Sequence, residues 1–177
     1  MFAVAVLLLC AATTVSAGDT FSPTIPDLEV VTHEGKKVRF YSDLVKGRVV
    51  AVNFVFTNCS TICPASGALF AALQKQHGRV HFISVSIEPT VDTPQRLKAW
   101  SKQFRTQPGW TLVTGSQETI DRIVKALGGP TGRPTDHLPL TIVGNDLTRN
   151  WSRMYGFPGS EKLGKIVDQV SARGGAR

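Results

Sequence analysis

The stretch VVAVNFVFTNCSTICPA, residues 49–65, decides how the rest of the chain is read. Residues 49–56 are apolar except for Asn53, a run that suits a central strand covered on both faces. Two cysteines follow at once, Cys59 and Cys63, with Pro64 directly after the second. Residues 65–76 have helical character and stop at Gly78, and Pro64 fits a helix's first turn. The pair therefore sits where a buried strand hands over to a helix. In open α/β sheets, ligands and chemistry gather beyond the carboxyl ends of strands. Four-residue spacing near a helical turn brings both sulfurs to one side. Free amides at the helix start favour the thiolate, the form that attacks and binds metals.

Downstream, residues 80–87 read as a second strongly apolar strand. Thr93 is the expected N-cap of the next helix, with Pro94 at its first position and Leu97, Trp100 and Phe104 at helical spacing. Residues 110–114 suit a strand and 117–127 a helix ended by Gly128-Gly129-Pro130. A strand at 140–143, a hairpin partner at 148–155 and a final helix at 160–171 complete the order. Upstream, 28–32 and 37–40 flank the turn His33-Glu34-Gly35-Lys36 and suggest a short hairpin. Residues 42–47 read as a connector, and 18–26, with Pro23 and Pro26, as an extended lead-in. Alternating strands and helices closed by a hairpin and helix point to an α/β chain, a three-layer thioredoxin-like fold with a central mixed sheet.

The 177 residues are enough for one domain with a buried core and hardly for two. Residues 1–17 carry no charge, run apolar from 2 to 12 and end in Val15-Ser16-Ala17, a small-x-small pattern. They read as a signal peptide cleaved after Ala17, leaving a domain at 18–177. A spanning helix needs about 20 apolar residues, more than this run supplies. No basic residue precedes the run; a longer segment that starts further upstream would explain this and could be an uncleaved membrane anchor. Cys10 follows Leu7-Leu8-Leu9 rather than the Gly or Ala usual before a lipid-attached cysteine. The expected compartment is thus periplasmic or otherwise extracytoplasmic. There a close cysteine pair is a disulfide, a redox dithiol or a soft-metal site. The net charge of +7 is scattered, and no basic run is interleaved with aromatics, so nucleic acid is not an expected partner. An acidic protein partner met through electrostatic steering is compatible with it.

A structural disulfide is the plainest account of Cys59 and Cys63, but so short a loop gains little by constraining the unfolded chain. His137, in the loop Pro134-Thr135-Asp136-His137-Leu138-Pro139, precedes the last central strand. In a thioredoxin-like sheet that loop faces the cysteine loop. Two thiolates and one imidazole form a soft three-coordinate set suited to Cu(I) and able to take Cu(II). Zinc would want a fourth ligand in a closed site. His33, His77 and His81 belong to no motif and read as solvated. Haem attachment is excluded, because Pro64 rather than histidine follows Cys63.

Several segments together resemble the Sco (SenC) proteins, thioredoxin-fold copper chaperones for cytochrome c oxidase assembly. They are VNFVFTNC at 52–59, Cys63-Pro64, VSIEP at 85–89 and Asp92-Thr93-Pro94. Pro108-Gly109-Trp110, Thr114-Gly115 and Asp136-His137 follow in the family's order. The resemblance implies copper as cofactor, with Cys59, Cys63 and His137 as its ligands. It also implies delivery to the copper A centre of oxidase subunit II, or prior reduction of that centre's cysteines. Thiol reductants or copper donors of the same compartment would be further partners of a monomer.

Three positions depart from the family. Ser60 stands where proline is frequent, Glu88 where aspartate is usual, and Pro139 where thioredoxins keep a cis-proline and Sco proteins usually do not. A cis Pro139 would shape a surface for an extended peptide and favour a thiol-disulfide oxidoreductase, in which Cys59 attacks and Cys63 resolves. Peroxiredoxins also place a cysteine after such a strand, but Asn53 occupies the position of their lead-in proline.

Overall fold

The computed structural model describes residues 19–130, 132 and 138–172. The strands are β1 (Asp19–Phe21), β2 (Glu29–Thr32), β3 (Lys37–Arg39), β4 (Val49–Val55), β5 (His81–Ser86), β6 (Trp110–Thr114), β7 (Leu140–Asn145) and β8 (Asn150–Tyr155). The helices are α1 (Ile62–Gln76), α2 (Pro94–Lys102), α3 (Gln117–Leu127) and α4 (Ser160–Ala172). One mixed sheet runs in the order β1-β8-β7-β4-β5-β6-β2-β3. Strands β4, β5 and β6 are parallel, and β7 closes antiparallel on the other side of β4.

The apolar run at 49–56 becomes the central strand because both its faces find a helical layer. Val50, Val52 and Phe54 join Ile120, Ile123, Val124 and Leu127 of α3 in one layer. Ala51 and Val55 face the other, with Phe70 and Leu73 of α1, Leu97 and Trp100 of α2, and Leu163, Ile166, Val167 and Val170 of α4. Each such side chain taken fully out of water contributes about 1.5–3 kcal/mol. Asn53, the polar break, is 1% exposed, and its Oδ1 accepts the Ser84 hydroxyl at 2.6 Å. The Trp110 indole N–H donates to the same Ser84 oxygen at 3.0 Å. One short polar chain thus crosses all three parallel strands.

The capping signals act as their chemistry dictates. The Thr93 hydroxyl oxygen accepts the Arg96 amide at 3.3 Å, with Pro94 opening α2. The Ser116 oxygen accepts the Thr119 amide at 3.2 Å, and Gly128 ends α3 in the left-handed region at φ 66°.

Four expectations are corrected. The connector at 42–47 lies largely within a wide helical turn, Phe40–Val45, because Phe40, Leu44 and Val45 are buried together under the sheet. The Asp43 carboxylate accepts the Arg39 amide at 2.6 Å at its start. The lead-in contains a three-residue strand, β1, paired with β8, too short for any sequence periodicity. Helix α1 begins at Ile62 rather than 65, since Pro64 falls inside the first turn, where its missing N–H is tolerated. Finally, no peptide bond among the described residues is cis, so Leu138–Pro139 is trans. That is the ordinary preference of an X–Pro bond, and the Pro139 carbonyl is used in accepting the Gly156 amide at 2.8 Å. No helix among the described residues is long and apolar enough to cross a membrane. Residues 1–17, read as a leader, lie outside the described residues.

Gly144 lies on β7 against Trp151, which is 1% exposed. A Cβ there would fall within the indole ring. Gly144→Ala is expected to destabilise the fold by about 1–3 kcal/mol through overpacking. The check is a lowered urea midpoint with an unchanged m-value.

Candidate functional site

The end of β4 leads directly into the cysteine loop. The Ile87 amide donates to the Val55 carbonyl at 2.9 Å, so β4 and β5 stay in step to their carboxyl ends. The Cys59 amide then donates to the Phe56 carbonyl at 3.2 Å, turning the chain towards α1. Thr61, the residue flanking the helix start, makes no side-chain cap bond. The Cys63 amide donates instead to Cys59 Sγ at 3.2 Å. A sulfur therefore does the work of a capping oxygen. Thr61 Oγ1 lies 3.9 Å from the same sulfur.

The two thiols are not equivalent. Burial pushes Cys59 up, but hydrogen bonds from the Cys63 thiol and amide and from Thr61 outweigh it and hold Cys59 below the ordinary thiol value. Burial pushes Cys63 well above that value, and its hydrogen bond to Cys59 and the negative charges of Cys59 and Asp92 add to the rise. Cys59 is 9% exposed and Cys63 1%. Neighbouring Asn58, Ser60 and Thr61 are exposed, so the loop's rim meets solvent while the second sulfur does not. The arrangement is that of an attacking thiolate backed by a protonated partner.

Asp92 holds this loop. It is fully buried, and its Oδ1 accepts the Thr57 hydroxyl at 2.6 Å and the Thr57 amide at 3.1 Å. Its Oδ2 accepts the Ser86 hydroxyl at 2.7 Å. The carboxylate thus ties the residue two before Cys59 to the end of β5. In the sequence Asp92 stands only as part of a family resemblance, with no role attached to it. Its usable signal was position, immediately before the Thr93 cap and Pro94. Arg96 was missed altogether, although it donates from Nε to Thr57 Oγ1 at 3.1 Å and from Nη2 to Asn58 Oδ1 at 2.5 Å.

His137, the third residue of the expected triad, and its neighbour Asp136 lie outside the described residues. Among the described residues, no group of three His, Cys, Asp or Glu side chains is placed to hold a metal ion. The other histidines are packed rather than solvated, and none is near the cysteines. His81 opens β5, opposite Val50, with Nε2 at 2.9 Å from Thr111 Oγ1. His33 accepts the Leu112 amide at Nδ1, 3.2 Å away, and its side chain is 12% exposed. Burial holds both imidazoles below their usual pKa. His77 caps the far end of α1.

A model of the SCO1/SenC family matches residues 17–136, ending one residue before His137. A SCO1 protein homolog of Bacillus subtilis is 33% identical over 121 residues, 65% of this chain and 62% of its own. The curated relatives are matched over only 40 to 62% of their lengths. The structure of BsSco, a Sco family member described with a disulfide switch and among cytochrome c oxidase assembly proteins, superposes with TM-score 0.73 at 26% identity. That alignment covers 88% of this chain and 97% of BsSco. Arabidopsis thaliana ScoI with copper bound gives a TM-score of 0.68 at 21% identity, over 89% of this chain and 99% of its own. At that identity the likeness is one of fold.

Two outcomes follow from this geometry. Alkylation near neutral pH should modify Cys59 first, because a lowered pKa puts its thiolate in solution at lower pH; Cys63 should react only as the pH is raised or the fold opens. Mass mapping after timed quenching checks this. Asp92→Ala strands two hydroxyls and an amide and should destabilise the fold by about 2–4 kcal/mol, whereas Asp92→Asn, which keeps acceptor oxygen, should lose less. Equilibrium unfolding of both variants reads the difference.

Proposed function

The chain belongs to the SCO1/SenC family, and from that premise we propose that it binds copper through Cys59, Cys63 and His137 and passes it to the copper A site of cytochrome c oxidase subunit II. The observation that carries this reading is the cysteine pair itself. Its sulfurs share one helix start, with Cys59 Sγ already accepting the Cys63 amide at 3.2 Å. That bond stabilises negative charge on a sulfur before any metal arrives. Two soft thiolates and a neutral imidazole are the donors that favour Cu(I) over harder cations. His137 enters from the residue pattern, since it lies outside the described residues. The compartment proposed is extracytoplasmic, where leader removal would release a soluble monomer and retention would tether it.

Metal binding requires both thiols to lose their protons. Cys63, held high by burial, makes that loss costly at low pH. Copper affinity should therefore rise with pH as the proton on Cys63 is displaced.

A second reading is favoured by the unequal thiols. As an oxidoreductase, the Cys59 thiolate attacks a substrate disulfide, forms a mixed disulfide and expels one substrate thiolate. Cys63, deprotonated in turn, attacks Cys59 and releases the second thiolate, leaving a Cys59–Cys63 disulfide for a thiol reductant of the compartment to reset. The trans Leu138–Pro139 bond withdraws the peptide-binding surface that a cis-proline would have supplied to this reading.

Anaerobic Cu(I) titration of the reduced protein and of Cys59→Ala, Cys63→Ala and His137→Ala separates the two. One tight equivalent is expected in the parent. Each variant should lose about 100-fold or more in affinity, since even an outer partner of a metal ligand is worth 10–100-fold. Unchanged affinity in His137→Ala, with dithiol exchange retained, would overturn the copper triad and leave the oxidoreductase.

A further inference from the structure

We propose that Arg96 is a releasable clasp on the cysteine loop, a positioning residue that governs how readily Cys59 meets an exchange partner. The loop is attached to the rest of the fold in two tiers. The inner tier is the buried Asp92 carboxylate, bonded to the Thr57 amide and hydroxyl and to Ser86. It has no contact with water and opens only with the fold. The outer tier is Arg96, exposed on the first turn of α2. Its guanidinium reaches across to the two residues just before Cys59, giving Nε–H to Thr57 Oγ1 and Nη2–H to Asn58 Oδ1.

The Thr57 hydroxyl is shared between the tiers. It donates to Asp92 and accepts from Arg96, so its hydrogen-bonding capacity on both sides is used. Asn58 is different. It is exposed, and its side-chain oxygen is held by Arg96 across 38 residues of sequence. Among the described residues, nothing buried secures Asn58. A charge-assisted bond between exposed groups is short but competes with water at each opening. Breaking it therefore frees the exposed rim of the loop, Asn58 and Ser60, to move off the sulfur, while Asp92 keeps Thr57 in place and the Cys63 amide keeps Cys59 Sγ. A sulfur that must accept and then surrender a cargo or a disulfide partner needs that partial release, because Cys59 is only 9% exposed when the loop is closed.

The inference rests on Cys59 being the exchanging sulfur, and its test is made on metal-free reduced protein so that failure of copper binding does not touch it. The probe is a neutral alkylating reagent, with the rate at Cys59 followed by mass spectrometry across pH. The high-pH plateau reports access once the thiol is fully ionised, and the midpoint reports ionisation. Arg96→Gln should raise the plateau about three- to tenfold, the factor supplied by one net hydrogen bond of ordinary strength. Asn58→Ala should raise it by a similar factor, and the double variant should go no further than either alone. Arg96→Lys, able to reach one acceptor but not both, should restore part of the parental rate. A plateau unchanged in Arg96→Gln overturns the clasp, as does a change confined to the midpoint. So does acceleration accompanied by faster hydrogen exchange throughout the core, which would mark a general loss of stability.

Discussion

The cysteine loop of this molecule depends on one buried carboxylate. Asp92 accepts bonds from an amide and two hydroxyls, all neutral donors, and among the described residues no cation pairs with it directly. A charge so placed is tolerable only because its oxygens are saturated. The same saturation fixes three pieces of chain at once: the exit of β4 at Thr57, the exit of β5 at Ser86, and the start of α2, two residues after Asp92. Cys59 is two residues from one of these anchors. Its position is set from below by the sheet register and from the side by Asp92, with little freedom left over.

The packing explains why that end is held in place. The parallel strands β4, β5 and β6 are covered on both faces, and the polar atoms inside the sheet form a short chain from Trp110 through Ser84 to Asn53. Rigid strands deliver their carboxyl ends to one rim. At that rim the first amides of α1 need acceptors, and Cys59 Sγ supplies one. The bond caps a helix and lowers a thiol's pKa in the same act. Burying Cys63 one turn further in has the opposite effect on its sulfur, so one local geometry makes two different thiols from identical residues.

Much of this was readable residue by residue. The apolar run at 49–56 announced the central strand because no other position in a sheet accepts apolar side chains on both faces. Thr93-Pro94 and Ser116 announced their helices through local bonds that need no tertiary partner. The segment Phe40–Val45 was not readable, because its helical turn exists only where Phe40, Leu44 and Val45 find the underside of the sheet. Nor was β1, whose three residues become a strand only beside β8. His33 and His81 carry no local mark, because the amide, carbonyl and hydroxyl that hold them lie far along the chain.

Periodicity, capping chemistry and spacing over a few residues are enough to set the fold class, the strand-to-helix junction and the thiol pair placed there. The difference between the two thiols, the anchoring of their loop by Asp92 and the closure of Arg96 over it appear only in the folded chain. The anchor and the closure join groups 35 to 39 positions apart that β4 and α2 bring within hydrogen-bonding distance, and the thiols differ because the fold buries one more deeply than the other. Burial and long-range hydrogen bonds are sums over neighbours, and neighbours of that kind exist only once the chain has folded.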